Sequence, residues 1–310
     1  AQCPNTVASY NPALRTMSSN NTWFIVPVPK AAVQQALSES YPAVGLVPNN
    51  RLSLLDVPNF PAGMHPVLVT SGYSSDIRQS ILQIDGPLLV SDTQIPFVGK
   101  GTSKKPLLAP LNTYQAGTSD QANKDLAAVV PAAVSTLIGG LFVRLGNFIP
   151  GNAAYTAVSN GLFSANSKWV ILPNPASGPG AYVEAIDLSF TTVTEAQSKY
   201  SLTFLKSVIN QPQLLNGILS GKCQRNTYFL TNATAEVEFR SGNVTLGAAA
   251  SGSTLGLTAQ TMGTLQKASP DGFGNYIGAG GFSGCAQVVG YNTTGPLGPG
   301  TMGEDCDEAS

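Results

Sequence analysis

Extended segments outnumber helical ones along this chain, and the helical ones come in blocks instead of following each strand in turn. That order constrains the fold more than any other feature. A doubly wound sheet needs a helix after nearly every strand, whereas separate blocks of strands and helices build an α+β domain. Trp23 to Val28 crowds Trp, Phe, Ile and Val together and reads as a strand. Pro29 then opens a short helix, Lys30 to Ser40, with Ala32, Val33 and Leu37 on one side. Further strands are predicted at Arg51–Val57, Pro66–Thr70, Ile77–Ile84, Pro87–Val98 and Lys168–Leu172. Tyr182 to Val193 alternates, placing Tyr182, Glu184, Ile186, Leu188 and Phe190 on one face. Glu195 to Ile209 reads as a helix, broken at Gln211-Pro212. Tyr228 to Leu246 reads as a hairpin turning at Ser241-Gly242-Asn243. Its first arm sets Val237 and Phe239 on the core face and Asn232, Glu236 and Glu238 on the solvent face. Thr254–Met262 and Gln287–Tyr291 add two strands, and the run Gly272 to Gly281 reads as a loop. The expectation is an α+β fold in a single domain, with helices on a mainly antiparallel, curved or barrel-like sheet. In that division residues 1–19 are an N-terminal extension, 20–294 the domain, and 295–310 a Gly/Pro-rich acidic tail.

Charge is scarce, and its scarcity excludes whole classes of partner. Charged residues make up 11% of the 310, against about 25% in an ordinary soluble domain. Sixteen Lys and Arg nearly cancel seventeen Asp and Glu, leaving −1. No basic face is available to displace counterions from nucleic-acid phosphates or to seat on an anionic membrane. The uncharged stretch Leu126 to Val143 is broken by Pro131, Gly139 and Gly140. Leu126, Val130, Val134, Ile138, Leu141 and Leu145 fall at helical spacing, so the reading is a core helix, not a span.

Four sequons begin at Asn20, Asn232, Asn243 and Asn292, and the chain opens Ala1-Gln2-Cys3-Pro4 without a Met. Together these read as a mature, secreted, extracellular glycoprotein whose signal peptide has been removed. Cys3, Cys223, Cys285 and Cys306 are even in number and far apart, with no Cys-x-x-Cys. Two disulfides suit that spacing better than a metal site, and no metal or other cofactor is expected. Three pairings are possible. Cys3–Cys306 with Cys223–Cys285 is preferred here, because it tacks the two tails together.

From Trp23-Phe24-Ile25-Val26-Pro27-Val28-Pro29, through Pro61-Ala62-Gly63-Met64-His65-Pro66-Val67-Leu68-Val69, to Pro87-Leu88-Leu89 and Ile95-Pro96-Phe97-Val98, the order of segments resembles secreted members of the acetoacetate decarboxylase-like family. The resemblance covers about residues 20–110. It implies a conical antiparallel barrel with an internal ligand cavity. It also implies a lysine forming a Schiff base with a β-keto acid, its pKa lowered by a neighbouring lysine. The adjacent pair in this chain is Lys104-Lys105, within Gly101-Thr102-Ser103-Lys104-Lys105-Pro106. The family's pair follows a Gly-aromatic-Pro and an upstream Glu. Here neither stands before the lysines, and Tyr73-Ser74-Ser75-Asp76 carries its carboxylate one place later than the family's Tyr-x-Glu.

Other residues stand out by their own chemistry. Glu184, on an apolar strand face beside Tyr182, would be a general acid or a substrate anchor if it is buried, and an ordinary surface group if a bulge turns it out. Arg78 could grip a carboxylate in bidentate fashion, with Tyr182 as a further contact. His65, the one histidine, could serve as acid or base, or be a satisfied structural group. A Gly-x-Ser-x-Gly is absent, and one imidazole leaves little for a serine triad. The functional expectation is a secreted enzyme acting on a small carbonyl- or carboxylate-bearing metabolite, decarboxylase- or lyase-like. In that scheme Lys104 or Lys105 is the nucleophile, Glu184 and His65 are acid–base groups, and Arg78 is the anchor. The alternatives are a non-catalytic binder of a hydrophobic small molecule and, third, an extracellular carbohydrate hydrolase.

Overall fold

The computed structural model describes residues 3–41, 51–79, 82–84, 86–120, 128–129, 131–132, 143–170, 182–215, 221–230, 237–247, 259–292, 303 and 305–306. The apolar run Trp23–Val28 is the C-terminal part of a longer strand, β1 (Leu14–Pro29), which begins inside the stretch read as an extension. The remaining strands are β2 (Leu52–Leu54), β3 (Met64–Gln79), β4 (Leu82–Ile84), β5 (Leu88–Lys100), β6 (Leu107–Gly117), β7 (Val143–Ile149), β8 (Thr156–Ser159) and β9 (Leu162–Val170). They continue as β10 (Tyr182–Val193), β11 (Gln213–Leu214), β12 (Cys223–Gln224), β13 (Thr227–Phe229), β14 (Glu238–Leu246) and β15 (Asn275–Asn292). Among the described residues the helices with full bounds are α1 (Lys30–Ser40), α2 (Leu202–Ile209) and α3 (Ala259–Lys267).

Nine strands close on themselves in the order β6-β7-β9-β10-β14-β15-β1-β3-β5, and pairing of β5 with β6 completes the ring. A ring with an odd number of strands cannot alternate direction throughout, so at least one neighbouring pair must run parallel. That pair is β6 with β7, and every other pair in the ring is antiparallel. Parallel neighbours need a long crossover, and the segment 118–142 supplies it. This holds most of the stretch read as a core helix. Residues 128–129 and 131–132 are helical, but Val143 to Leu145 belongs to β7. Among the described residues no helix is long and apolar enough to cross a membrane.

Both faces of β1 are buried, and where both neighbours are apolar, at Trp23–Val28, the sequence reads as an unbroken apolar run. Phe24 meets Phe190 of β10 at 5.5 Å between ring centres, although those strands are not neighbours. That contact crosses the barrel, so Phe24, Val26 and Val28 face inward. Trp23 and Ile25 face outward and are covered by Leu205, Val208 and Ile209 of α2. The near end of the barrel is closed by α1, whose Val33, Ala36 and Leu37 join the inward cluster. Helix α2 is shorter than predicted. Glu195–Gln197 is a separate 3-10 turn, and Ser201 caps α2 by accepting from the Phe204 N–H at 3.1 Å.

Several local expectations are corrected. Ser241-Gly242-Asn243 is not a turn but mid-strand in β14, all three paired with β10 and the first two also with β15. A Cβ on Gly242 would lie 2.4 Å from the Ser189 carbonyl oxygen, so this glycine allows close backbone approach. The described part of Thr254–Met262 is helical, within α3, whose backbone groups pair internally where a strand there would need a ladder partner. The glycine run is strand from Asn275 onward. The disulfides join Cys3 to Cys285 and Cys223 to Cys306, with Cα separations of 5.8 and 4.8 Å. Barrel closure sets this pairing. The register of β15 puts Cys285 opposite Asn20, beside the N-terminal segment, while Cys306 lies against the Gly221 carbonyl just before β12. Each tail is tied to the barrel, not to the other tail.

Candidate functional site

The inward faces are layered. Along β1 the inward residues run Ser18, Asn20, Thr22, then Phe24, Val26, Val28; along β3 they run Ser75, Tyr73, Ser71, then Val69, Val67. The half sealed by α1 is apolar, and the opposite half is polar. Residues Thr22, Ser71, Ser91 and Ser283 are all buried in that polar half.

Arg240 of β14 lies at its centre, 1% exposed. Its Nε donates to Ser283 Oγ at 2.9 Å, one terminal nitrogen donates to Thr192 Oγ1, and the other to Tyr155 Oη at 3.2 Å and to Glu238. Ser283 is held in turn by Thr22, 2.8 Å away. The guanidinium carbon stands 5.1 Å from the Phe163 ring centre and 5.5 Å from those of Tyr155 and Phe190. Cation–π attraction at such distances is strongest where water is excluded. Glu238, the carboxylate partner, has a side chain 51% exposed and marks the rim. The result is a buried, pre-positioned cation under a solvent-facing carboxylate, walled by three aromatic rings.

A second polar group lines the same interior. Asn112, 1% exposed, accepts from Arg144 Nη1 at 2.8 Å through its Oδ1. Its Nδ2 and the hydroxyl of Thr93, its cross-strand neighbour, are both buried without a hydrogen-bond partner among the described residues. Buried orphaned donors are costly, of order 1–3 kcal/mol each, and mark places where a water or ligand oxygen would be held.

Sequence reasoning placed Glu238 on the solvent face and therefore missed Arg240, which shares that face. The alternation was correct and its direction inverted. Phe239 packs outward against Phe282 in the cluster beneath α2, whereas Val244 and Leu246, on the same face of β14 as Arg240, join the inward cluster.

Of the residues singled out from sequence, Lys104, Lys105, His65 and Arg78 do not gather here. Lys104 and Lys105 are exposed, in the turn between β5 and β6. Lys104, Lys30 and His65 all act on Asp56, whose pKa is lowered, first by its hydrogen bond from Lys30. His65 is buried, and desolvation pushes its pKa down to about 4. Its Nε2 lies 2.8 Å from the Pro96 carbonyl. A carbonyl only accepts, so neutral His65 carries its proton on Nε2, as a structural group does. Arg78 forms a two-pronged pair with Asp76 at 2.8 and 3.0 Å on the surface. A bulge between Tyr182 and Ala185 breaks the strict alternation of β10, and the side chains of Tyr182 and Glu184 lie outside the described residues. Asn20 is on the inward face between Tyr73 and Cys285, Asn243 is exposed, and the Asn232 and Asn292 side chains are outside the described residues. No group of His, Cys, Asp and Glu among the described residues could hold a metal ion.

Fold and site together define a closed mixed β-barrel with a polar, arginine-centred interior half. No family model matches this chain, and no curated protein does. Solved structures that this chain resembles include the following two. One is the enduracididine biosynthesis enzyme MppR, complexed with the condensation product of pyruvate and imidazole 4-carboxaldehyde: 10% identity, 94% of this chain and 89% of that one, TM-score 0.42. The other is an acetoacetate decarboxylase-like enzyme from Sphingomonas wittichii RW1: 9% identity, 90% and 91% coverage, TM-score 0.43. Likeness at this level says nothing of the chemistry inside this barrel, which rests on the residues described above.

Proposed function

We propose that this protein acts outside the cytosol on a small carboxylate-bearing organic molecule, taken up at the rim of the polar half-barrel. Arg240 is the anchor. A ligand carboxylate replaces Glu238 on the terminal guanidinium nitrogens, and Tyr155, Phe163 and Phe190 flank the rest of the molecule. The observation that carries this reading is the buried Arg240 guanidinium whose carboxylate partner is half exposed and therefore exchangeable. Glu238, released at the rim, is the acid–base group in a lyase- or decarboxylase-like form of the reaction, with Asn112 and Thr93 available for a carbonyl oxygen. The two disulfides support an oxidising, extracellular setting, with a glycan on the exposed Asn243.

A non-catalytic binder is the second reading, favoured by the exposure of both Lys104 and Lys105, which leaves them outside the Arg240 chamber. Titration calorimetry with short 3-oxo acids, with carbon dioxide release followed in parallel, separates the two. Binding with turnover supports the enzyme; binding without turnover supports the binder. Absence of binding to any small carboxylate, or binding that survives Arg240→Met unchanged, rejects both. Borohydride trapping read by mass spectrometry then tells whether any lysine takes part.

A further inference from the structure

Outside the barrel, between the outward faces of β1, β3 and β5 and the chain that follows α2, lies a second site with different chemistry. A cavity of about 20 Å³, room for one water-sized group, is lined by Trp23, Asp92, Gln94 and Tyr228 among others. Asp92 and Thr70 are cross-strand partners, and the Thr70 side chain is hydrogen-bonded to the carboxylate. The other oxygen, Oδ1, is buried with no partner among the described residues. Tyr228 is fixed in place by its backbone N–H, which donates to Asn210 Oδ1 at 2.7 Å, and by an edge-on contact with Trp23 at 6.2 Å between ring centres.

We propose that this cavity binds a primary ammonium group, the protonated amine of a small ligand. An ammonium brings three donors, and the cavity offers three kinds of acceptor: the Asp92 carboxylate, the Gln94 amide oxygen and the Tyr228 hydroxyl. Trp23 and Tyr228 add aromatic surface that favours a cation over a neutral guest. A bare metal ion fits poorly, because calcium alone takes six to eight oxygens and magnesium holds strict octahedral geometry. Once Asp92 is ionised, its charge repels a carboxylate ligand.

The charged and titratable groups facing the site are few. Desolvation raises the Asp92 carboxyl to about 7. Burial, then the nearby Asp92, raises Tyr228 to about 12, while Arg15 acts on it in the opposite sense. Arg15 is itself engaged with Asn226 Oδ1. A proton and an ammonium compete for the same Asp92 oxygen, so binding strengthens as pH rises through about 7 and releases a proton.

The test is calorimetric and NMR titration of the full chain with methylammonium chloride at pH 5.5 and pH 8, with tetramethylammonium and potassium chloride as controls. Methylammonium is expected to bind at pH 8 and about tenfold or more weakly at pH 5.5, while tetramethylammonium, which has no N–H donor, does not bind. Asp92→Asn, nearly isosteric, is expected to weaken binding about 10- to 100-fold, and Tyr228→Phe to weaken it less, both with an unchanged circular dichroism spectrum. Three results would overturn the proposal: no methylammonium binding at pH 8, equal binding of potassium or tetramethylammonium, or undiminished binding by a folded Asp92→Asn protein. If Asp92→Asn does not fold, the pH dependence and the tetramethylammonium control on the native chain decide the matter.

Discussion

Replacing Glu238 by Ala should move stability and ligand affinity in opposite directions. The Glu238 carboxylate is the counter-ion of a guanidinium that is 1% exposed, while its own side chain is 51% exposed. A fully exposed pair contributes about 0–1 kcal/mol, and stripping the partner from a fully buried charge costs about 3–5 kcal/mol. This pair lies between the two, and Arg240 keeps its bonds to Ser283, Thr192 and Tyr155, so about 1–2 kcal/mol is expected to be lost. Urea unfolding with an unchanged m-value would report it. If a ligand carboxylate takes the place Glu238 vacates, that same cost no longer opposes binding. Affinity for small carboxylates should then rise by up to the equivalent factor, about 5- to 30-fold. Turnover, if present, should fall at the same time, because the rim acid–base group is gone. Carboxylate binding weakened by Glu238→Ala, or left unchanged while stability falls, would refute the exchange of partners on Arg240.

Gly281→Ala should cost about 1–3 kcal/mol, since a Cβ there would lie 2.6 Å from Phe24 Cδ1 and 2.7 Å from the Trp23 carbonyl oxygen; denaturant unfolding measures it. His65, as the single histidine, gives one imidazole resonance, and its NMR titration midpoint should lie near 4 rather than 6.5. The native state then binds fewer protons than the unfolded chain between those values, so this residue's contribution to stability is present above about 6.5 and is lost as pH falls towards 4. Asp92 has the opposite sign: its native carboxyl keeps a proton between 3.8 and about 7, stability falls as pH rises across that window, and Asp92→Asn should remove that slope from pH-dependent melting. Non-reducing peptide mapping should recover Cys3 with Cys285 and Cys223 with Cys306; recovery of Cys3 with Cys306 would contradict the way the barrel closes.

Much of the strand map was legible. The helix at Lys30–Ser40 and the strand at Tyr182–Val193 have the predicted bounds, because each is set by local signals, a proline at a helix start and an alternation that holds from Ala185 onward. The hairpin predicted for Tyr228–Leu246 failed for an equally local reason. Ser-Gly-Asn is a good turn sequence, yet Gly242 is there so that β10 can pass closely, a requirement visible only once β10 is alongside. Little of the candidate site was legible. Arg240, Thr192, Tyr155 and Ser283 come from four separate stretches of chain, and no spacing within any one of them announces the others.

By itself the sequence determined that the chain is strand-rich, poor in charge and cross-linked at its tails, since these follow from residue types and their short-range periods. It could not choose which face of each strand encloses the interior. A period of two distinguishes two faces, and at Trp23–Val28 both are covered, one by the opposite wall and one by helix α2. Closure of nine strands made that choice. It forced the parallel pair of β6 and β7, turned Arg240 inward and Phe239 outward, and brought Cys285 to the N-terminal segment, because ring geometry acts between residues far apart in the chain.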